Sequence, residues 1–445
     1  MPLVYNTLLH LALAGAAPLL LPLILLTPRR RRTVMQRLGL TGRPPRQAPG
    51  PDAGRRPVWV HALSVGETIS ALPLLRGLAG ACNGRRLMLS ASTLSGFQIA
   101  RQQVEGLAAH LFYFPYDLPF SIRRTVARVR PAMVVIVESD LWPNFLTYLA
   151  GQGVPVALVN ARLSEKSFHG YRRFPAFTRR LARSLALVCA QSPRDAARFH
   201  ALGVPWGRLT VTGSLKFDQP APARGAKEAA DWRQRLFLPS EVPTIVAGST
   251  HPGEEDLLLE AFARLRADLP ETRLIVAPRD PRRAMAVVRL FRAAGFTAQT
   301  LGNLAAPDGP RPWAVAVVDG VGILRSLYAL ADVSVIGGSF VPLGGHNPLE
   351  PAAWAKPVIF GGDMRNFREI SQLLLAAGGA VRVSDAPGLY HQTADLLQNP
   401  SRARRMGRQA AAVLDANKGA VTRTVAAVKR LCPPAGGGAW RGGGR

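Results

Sequence analysis

Two glutamates follow short apolar runs in the first half of the chain, in His61-Ala-Leu-Ser64-Val-Gly66-Glu67 and Glu138-Ser-Asp-Leu-Trp-Pro-Asn144. A carboxylate at the start of a helix can take the proton of an attacking hydroxyl. The same residue there also merely complements the helix dipole, and for Glu67 both readings stand. Glu138 follows five apolar residues, so partial burial is expected, with backbone N–H groups or an arginine as partners; a structural role fits it as well as a catalytic one. Arg162 in Asn160-Ala-Arg-Leu-Ser164 and Lys216 in Gly213-Ser-Leu-Lys-Phe-Asp218 are candidate anion ligands, or else surface charges. Ser64 with Gly66, and Ser95 with Gly96, are small enough to shape phosphate or sugar loops.

The second half concentrates nucleotide-binding features. Residues 337–351 read Gly-Gly338-Ser339-Phe-Val-Pro-Leu-Gly-Gly345-His346-Asn347-Pro-Leu-Glu350-Pro. This glycine-rich turn follows an apolar strand, and a helix is expected to begin near Asn347. Backbone amides and the helix end would then cradle an anion, and Glu350 can accept ribose hydroxyls. Ala-Gly248-Ser249-Thr250-His-Pro-Gly-Glu-Glu255 repeats the arrangement, and Arg279 in Ala-Pro-Arg-Asp-Pro281 suits bidentate contact with a phosphate. No D-x-D pair occurs, so no metal and no cofactor is expected; fixed positive charges and helix ends would hold the donor.

The elements that must position these groups alternate. Short apolar runs at 58–61, 87–90, 111–114, 133–137, 156–160, 187–190 and 209–212 are separated by amphipathic stretches, as are 244–247, 273–277, 314–318, 333–336 and 357–360. That is the pattern of α/β domains with parallel sheets. The expected architecture is two Rossmann-like doubly wound domains facing a cleft, with ligand sites at the carboxyl ends of the strands. The boundaries read as an anchor and basic segment at 1–32, a first Rossmann-like domain at 33–218, a linker at 219–240, a second at 241–431 and a flexible tail at 432–445.

Composition adds constraints. With 56 basic against 28 acidic residues the net charge is +28, which calls for anionic partners. Basic residues are scattered without aromatic interleaving, which argues against nucleic acid. Cys82, Cys189 and Cys432 are widely spaced and odd in number, suggesting neither a disulfide framework nor a zinc site, and a reducing cytoplasm as the setting. Residues 7–27 form an apolar run, ended by Pro28 and Arg29 to Arg32. Its length matches a hydrocarbon core of about 30 Å, and the arginines after it predict a single N-terminal membrane anchor with the rest on the cytoplasmic side, beside anionic lipid; an in-plane or re-entrant segment is the alternative.

Taken in order, the segments 61–67, 138–144, 160–164, 213–218, 247–255 and 344–351 resemble the motif series of the bacterial 3-deoxy-D-manno-octulosonic acid (Kdo) transferases of lipid A biosynthesis. The resemblance implies a GT-B glycosyltransferase that moves Kdo from CMP-Kdo onto lipid IVA at the cytoplasmic face of the inner membrane, with inversion and without a metal. It implies that the domain at 33–218 binds the acceptor and the domain at 241–431 the nucleotide sugar. It also implies that Glu67 is the catalytic base. Three positions depart from the family pattern: Asp280 replaces a histidine, Ser214 an asparagine, and Gly362-Asp363 a Gly-Pro pair. A GT-B enzyme with another sugar nucleotide and a non-enzymatic basic membrane-surface adaptor are the rival readings.

Overall fold

The computed structural model describes residues 2–41, 55–82, 85–104, 110–138, 141–218, 225–304 and 312–432. The chain divides into two compact units, Met1–Gln219 with Lys418–Arg445, and Pro220–Asn417.

In the first unit seven strands form one sheet: β1 (Val58–Ala62), β2 (Leu87–Ala91), β3 (His110–Tyr113), β4 (Met133–Val137), β5 (Val156–Ala161), β6 (Leu187–Ala190) and β7 (Leu209–Val211). Their order is β3-β2-β1-β4-β5-β6-β7, and every pairing is parallel. Side chains alternate across a strand, and here both faces are apolar. Val58, Val60, Leu87, Leu89, Val135 and Val137 build one buried cluster, while Trp59, Met88, Val134, Ile136 and Leu158 build the other. Burying both faces removes every backbone group of the central strands from water except at their ends, where ligands can reach the chain.

The helix Ala420–Lys429 completes the first cluster through Ala420, Ala427 and Val428. Asp218 fixes its start by accepting the Gly419 and Val421 amides. Cys82 and Cys432 form a disulfide in the same region. This corrects the reading of unpaired cysteines, and a separation of 350 residues explains why spacing concealed it.

The second unit repeats the plan with β8 (Thr244–Thr250), β9 (Arg273–Pro278), β10 (Ala298–Thr300), β11 (Val315–Val317), β12 (Val333–Ile336), β13 (Val358–Phe360) and β14 (Ala380–Arg382). Their order is β10-β11-β9-β8-β12-β13-β14, again all parallel. The edge strands β10 and β14 were not foreseen; Ala-Gln-Thr and Ala-Val-Arg lack the apolar run that marks the other strands. Within the segment read as a linker, Gly225–Arg235 is helical and Trp232 donates to Ser326 Oγ at 2.9 Å, while 219–224 lie outside the described residues. Residues 433–445 of the expected tail also lie outside them.

The two α/β parallel-sheet units are consistent with a GT-B fold, but the membrane anchor is not supported. Among the described residues no helix is long and apolar enough to cross a membrane. The helix Pro2–Leu25 carries Asn6 and His10, with Pro18 and Pro22 inside it. Its first turns are tied to the first unit, since Tyr5 donates to Asp117 Oδ2 at 3.0 Å and Asn144 donates to Asn6 Oδ1 at 2.6 Å. Apolar length was counted from residue types, and these polar attachments were invisible to that count. The inner-membrane placement and orientation that rested on the anchor fall with it.

Candidate active site

Strand order reverses between β1 and β4 in the first sheet and between β8 and β12 in the second. Crevices at such switch points are where open α/β sheets bind ligands. Of the loops quoted from the sequence, those at 61–67, 138–144, 247–255 and 337–351 leave these strands, and the others leave β2, β5, β7 and β9.

After β1, Ser64 takes an extended conformation and caps the helix Val65–Ala81 by accepting the Glu67 amide at 3.4 Å. Glu67 answers by accepting Ser64 Oγ at 3.2 Å and the Leu63 amide at 2.6 Å. Ser-x-x-Glu thus forms a variant of the capping box in which the reciprocal bond goes to the amide before the cap; the carboxylate is pinned, and the residue is 8 % exposed. Gly66 has a different standing. A methyl group there would meet nothing within 4 Å, so packing among the described residues does not require glycine at that turn. His61 is fully buried, stacked on Phe114 with ring centroids 3.9 Å apart, and its Nδ1 lies 3.0 Å from Ser90 Oγ. Burial holds its pKa down at about 3, so it stays neutral and structural.

After β2, Thr93 caps the helix Leu94–Gln103 through the Gly96 amide at 3.0 Å; Ser95 is on its first turn, its side chain outside the described set. After β4, Glu138 adopts a left-handed φ of 69°. Its carboxylate meets Arg162 Nε at 3.9 Å and Lys216 Nζ at 4.0 Å. Three residues singled out in the sequence, from the ends of β4 and β5 and the loop after β7, therefore form one loose ionic cluster with an excess positive charge. Ser139 and Asp140 of the same motif lie outside the described residues.

The second unit alters the sequence reading. The amides of Gly338, Ser339 and Phe340, expected to cradle a donor phosphate, donate instead to Glu254 at 2.7, 3.0 and 3.0 Å. Glu254 also accepts the His251 amide at 2.9 Å and is 1 % exposed. An internal carboxylate occupies the cradle. The helix beyond it, Leu349–Ala352, is a single turn, too short to add much dipole. Several glycines are likewise explained by packing. A methyl at Gly248 would lie 2.0 Å from Tyr328 Oη, and one at Gly345, where φ is 73°, would lie 2.4 Å from Met364 Sδ.

What remains is a polar group around the ends of β8 and β9 and the loop after β12. Thr250 donates to Glu255 Oε1 at 2.9 Å, and Arg283 clamps Glu255 bidentately at 2.7 and 3.2 Å. Ser249 holds a left-handed φ of 59°. His346 Nε2 stands 2.8 Å from His251 Nε2, so one ring must donate to the other. Burial, with Arg279 and His251 beside it, lowers the His346 pKa to about 4. Asn347 Oδ1 accepts the Leu349 amide at 3.1 Å. Burial raises the Glu350 pKa, opposed by Arg325, a hydrogen bond from Asn347 and Arg279. Arg279 itself is exposed, with its backbone amide fixed on Thr250 O at 2.9 Å.

Sequence reasoning missed Glu254 as a clamp, and it also missed the Glu255–Arg283 pair, Arg325 and Tyr328. Only the Gly-Glu-Glu of 253–255 offered a signal, because paired acids at a helix start need donors. The departures at Asp280 and Asp363 are locally neutralised. Arg282 grips Asp280 at 2.9 and 2.7 Å, and Arg365 grips Asp363 at 2.8 Å from both Nε and Nη2. Asp363 also accepts the Gly344 amide at 2.9 Å. Ser214 sits at a bend where its hydroxyl meets the Lys216 amide at 3.4 Å. Among the described residues no three His, Cys, Asp or Glu side chains converge as a metal-ligand group.

Residues 32–219 match the family described as "3-Deoxy-D-manno-octulosonic-acid transferase (kdotransferase)". The 3-deoxy-D-manno-octulosonic acid transferase of Bordetella pertussis is 34% identical over 438 residues, 94% of this chain and 97% of that protein. The chain belongs to the Kdo transferase family. The Haemophilus influenzae member is 31% identical across 91% of this chain and 92% of its own length. The family assignment makes the chain a glycosyltransferase. UDP-GlcNAc 2-epimerase from Neisseria meningitidis shares the fold alone, with a TM-score of 0.59 at 12% identity, covering 84% of this chain and 99% of that one.

Proposed function

We propose that this Kdo transferase moves Kdo from CMP-Kdo to a hydroxyl of lipid IVA, with inversion and without a metal, and that Glu67 is the general base. The observation that supports it most is the placement of Glu67. Its carboxylate is fixed by Leu63 N–H and Ser64 Oγ at the switch point of the first sheet, beside a glycine that packing does not demand. In the step, an acceptor hydroxyl forms the new bond to the anomeric carbon, its proton passes to Glu67, and the bond to CMP breaks with its electron pair on the departing phosphate.

Glu138, Arg162 and Lys216 are assigned to the acceptor side, where their net positive cluster suits the phosphates of lipid IVA. Ser64 and Gly66, after β1, and Ser95 and Gly96, after β2, are assigned to the acceptor side as well. The donor is assigned to Ser249, Thr250, Arg279, His346, Asn347 and Glu350, with Arg279 as the exposed phosphate ligand. Gly248, Gly338, Ser339 and Gly345 shape that region, while Glu254 already takes the Gly338 and Ser339 amides. The anionic-lipid partner rests on the charge of +28.

The test is mass spectrometry of lipid IVA after incubation with purified protein and CMP-Kdo generated in the same tube, with a metal chelator present. A gain of whole Kdo units is expected. No gain, with a control transferase active in the same mixture, rejects the donor and acceptor assignment. Gly66→Ala should fold normally and gain up to about 1 kcal/mol of helix stability, yet transfer more slowly. Full activity in that variant would mean that no ligand approaches this turn.

A further inference from the structure

A cavity of about 240 Å³ opens at the edge of the second sheet opposite the candidate donor loops. Residues leading into β8, β12 and β13 line it (Glu241 and Pro243, Asp332, and Lys356), as do Leu396 and Arg404 from the helices Ala386–Gln398 and Pro400–Asn417. It exceeds the roughly 150 Å³ of an apolar protein cavity that takes up benzene, so there is room for a small organic molecule. The rest of the lining is mainly alanine, proline and leucine.

Its charged groups are unequally provided for. Asp332 Oδ2 accepts the Thr244 amide at 2.9 Å, and Glu241 Oε1 accepts Ser240 Oγ at 2.8 Å. Lys356 is half-buried, and burial lowers its pKa despite the field of Asp332. Among the described residues no carboxylate lies within ion-pair distance of its ammonium and no acceptor bonds it. Solvent reaches this ammonium from the cavity, and an anion entering there would exchange that water for an ion pair in partly apolar surroundings. Arg404 offers a second cation from an exposed position on the lining. Asp332 and Glu241 disfavour a dianion, and the apolar walls favour a ligand with a hydrocarbon body.

We infer that this cavity binds a small amphipathic monocarboxylate, its carboxylate held by Lys356 and Arg404 and its apolar part against Pro243 and Leu396. Calorimetric titration of the full chain, in saturating CMP to occupy the donor region, tests this with hexanoate, hexanol and inorganic phosphate as probes. Hexanoate should bind saturably at one site, at least tenfold more weakly in Lys356→Met and severalfold more weakly in Arg404→Gln; hexanol and phosphate should not saturate. Arg404 is exposed, so its variant keeps the test valid where Lys356→Met fails to fold. Absence of saturable hexanoate binding, or equal affinity in wild type and both variants, would overturn the proposal. Binding of phosphate alone would overturn the assignment to a carboxylate.

Discussion

The switch points of the two sheets share a topology but use their carboxylates in opposite ways. In the first unit Glu67 accepts a backbone amide and a hydroxyl from the start of its own helix, and Glu138 lies near loosely spaced cations. In the second unit Glu254 accepts four backbone amides and Glu255 is clamped by Arg283 and Thr250. Glu254 ties two loops together through their amides and is a structural keystone, whereas the amide and hydroxyl that hold Glu67 belong to its own helix start. Residue type and the place after a strand are the same, so which segments supply these donors separates the two uses.

The contrast is broken most severely at Glu254. Glu254→Ala orphans buried amides in two loops and should destabilise the second unit by on the order of 5 kcal/mol, read as a lowered urea midpoint. A loss below about 1 kcal/mol would mean that the amides find water and that the cradle is open to a ligand after all. Glu67→Gln should leave the urea midpoint nearly unchanged while transfer falls at least a hundredfold, about 3 kcal/mol in the barrier. Equal turnover by mass spectrometry would move the base elsewhere, with Glu138 next in line.

Acid sharpens the comparison between the buried histidines. His346 has a folded-state pKa of about 4, below its unfolded value, so the folded protein resists protonation. Its stabilising contribution is complete above about pH 6.5 and is lost as pH falls toward 4, up to about 3 kcal/mol in all. His346→Gln should flatten the fall in unfolding free energy across that window; an unchanged slope would assign acid sensitivity to other groups, His61 foremost. The smallest effect is at Ser64. Ser64→Ala removes one cap and should cost about 1 kcal/mol in thermal unfolding, with a larger proportional loss of transfer because Glu67 loses a donor. Parallel losses in the two measurements would reduce Ser64 to a cap alone.

The central strands were legible because runs buried on both faces leave an unmistakable apolar signal, as in 133–137 and 156–160. The loops after them were legible as loops, and Glu138, Arg162 and Lys216 do converge. Long-range partnership was not legible. Glu254 lies 84 residues before Gly338, Cys82 lies 350 before Cys432, and nothing local in either segment announces its partner. The apolar N-terminal run misled for a related reason, since its ties through Tyr5 and Asn6 depend on Asp117 and Asn144, more than a hundred residues away. Glycines were read as ligand contacts where Tyr328 and Met364 supply an internal reason for them.

The placement of Ala420–Lys429 in the first core bears on how the chain is made. Residues 220–417 interrupt a unit whose last helix follows them in sequence. On the ribosome the second unit therefore has all its strands before the first can close its core. The surface awaiting Ala420, Ala427 and Val428 stays open for nearly two hundred residues of synthesis. A chain ending at residue 417 and released from the ribosome should accordingly show a protease-resistant second unit beside a first unit that is still cleavable.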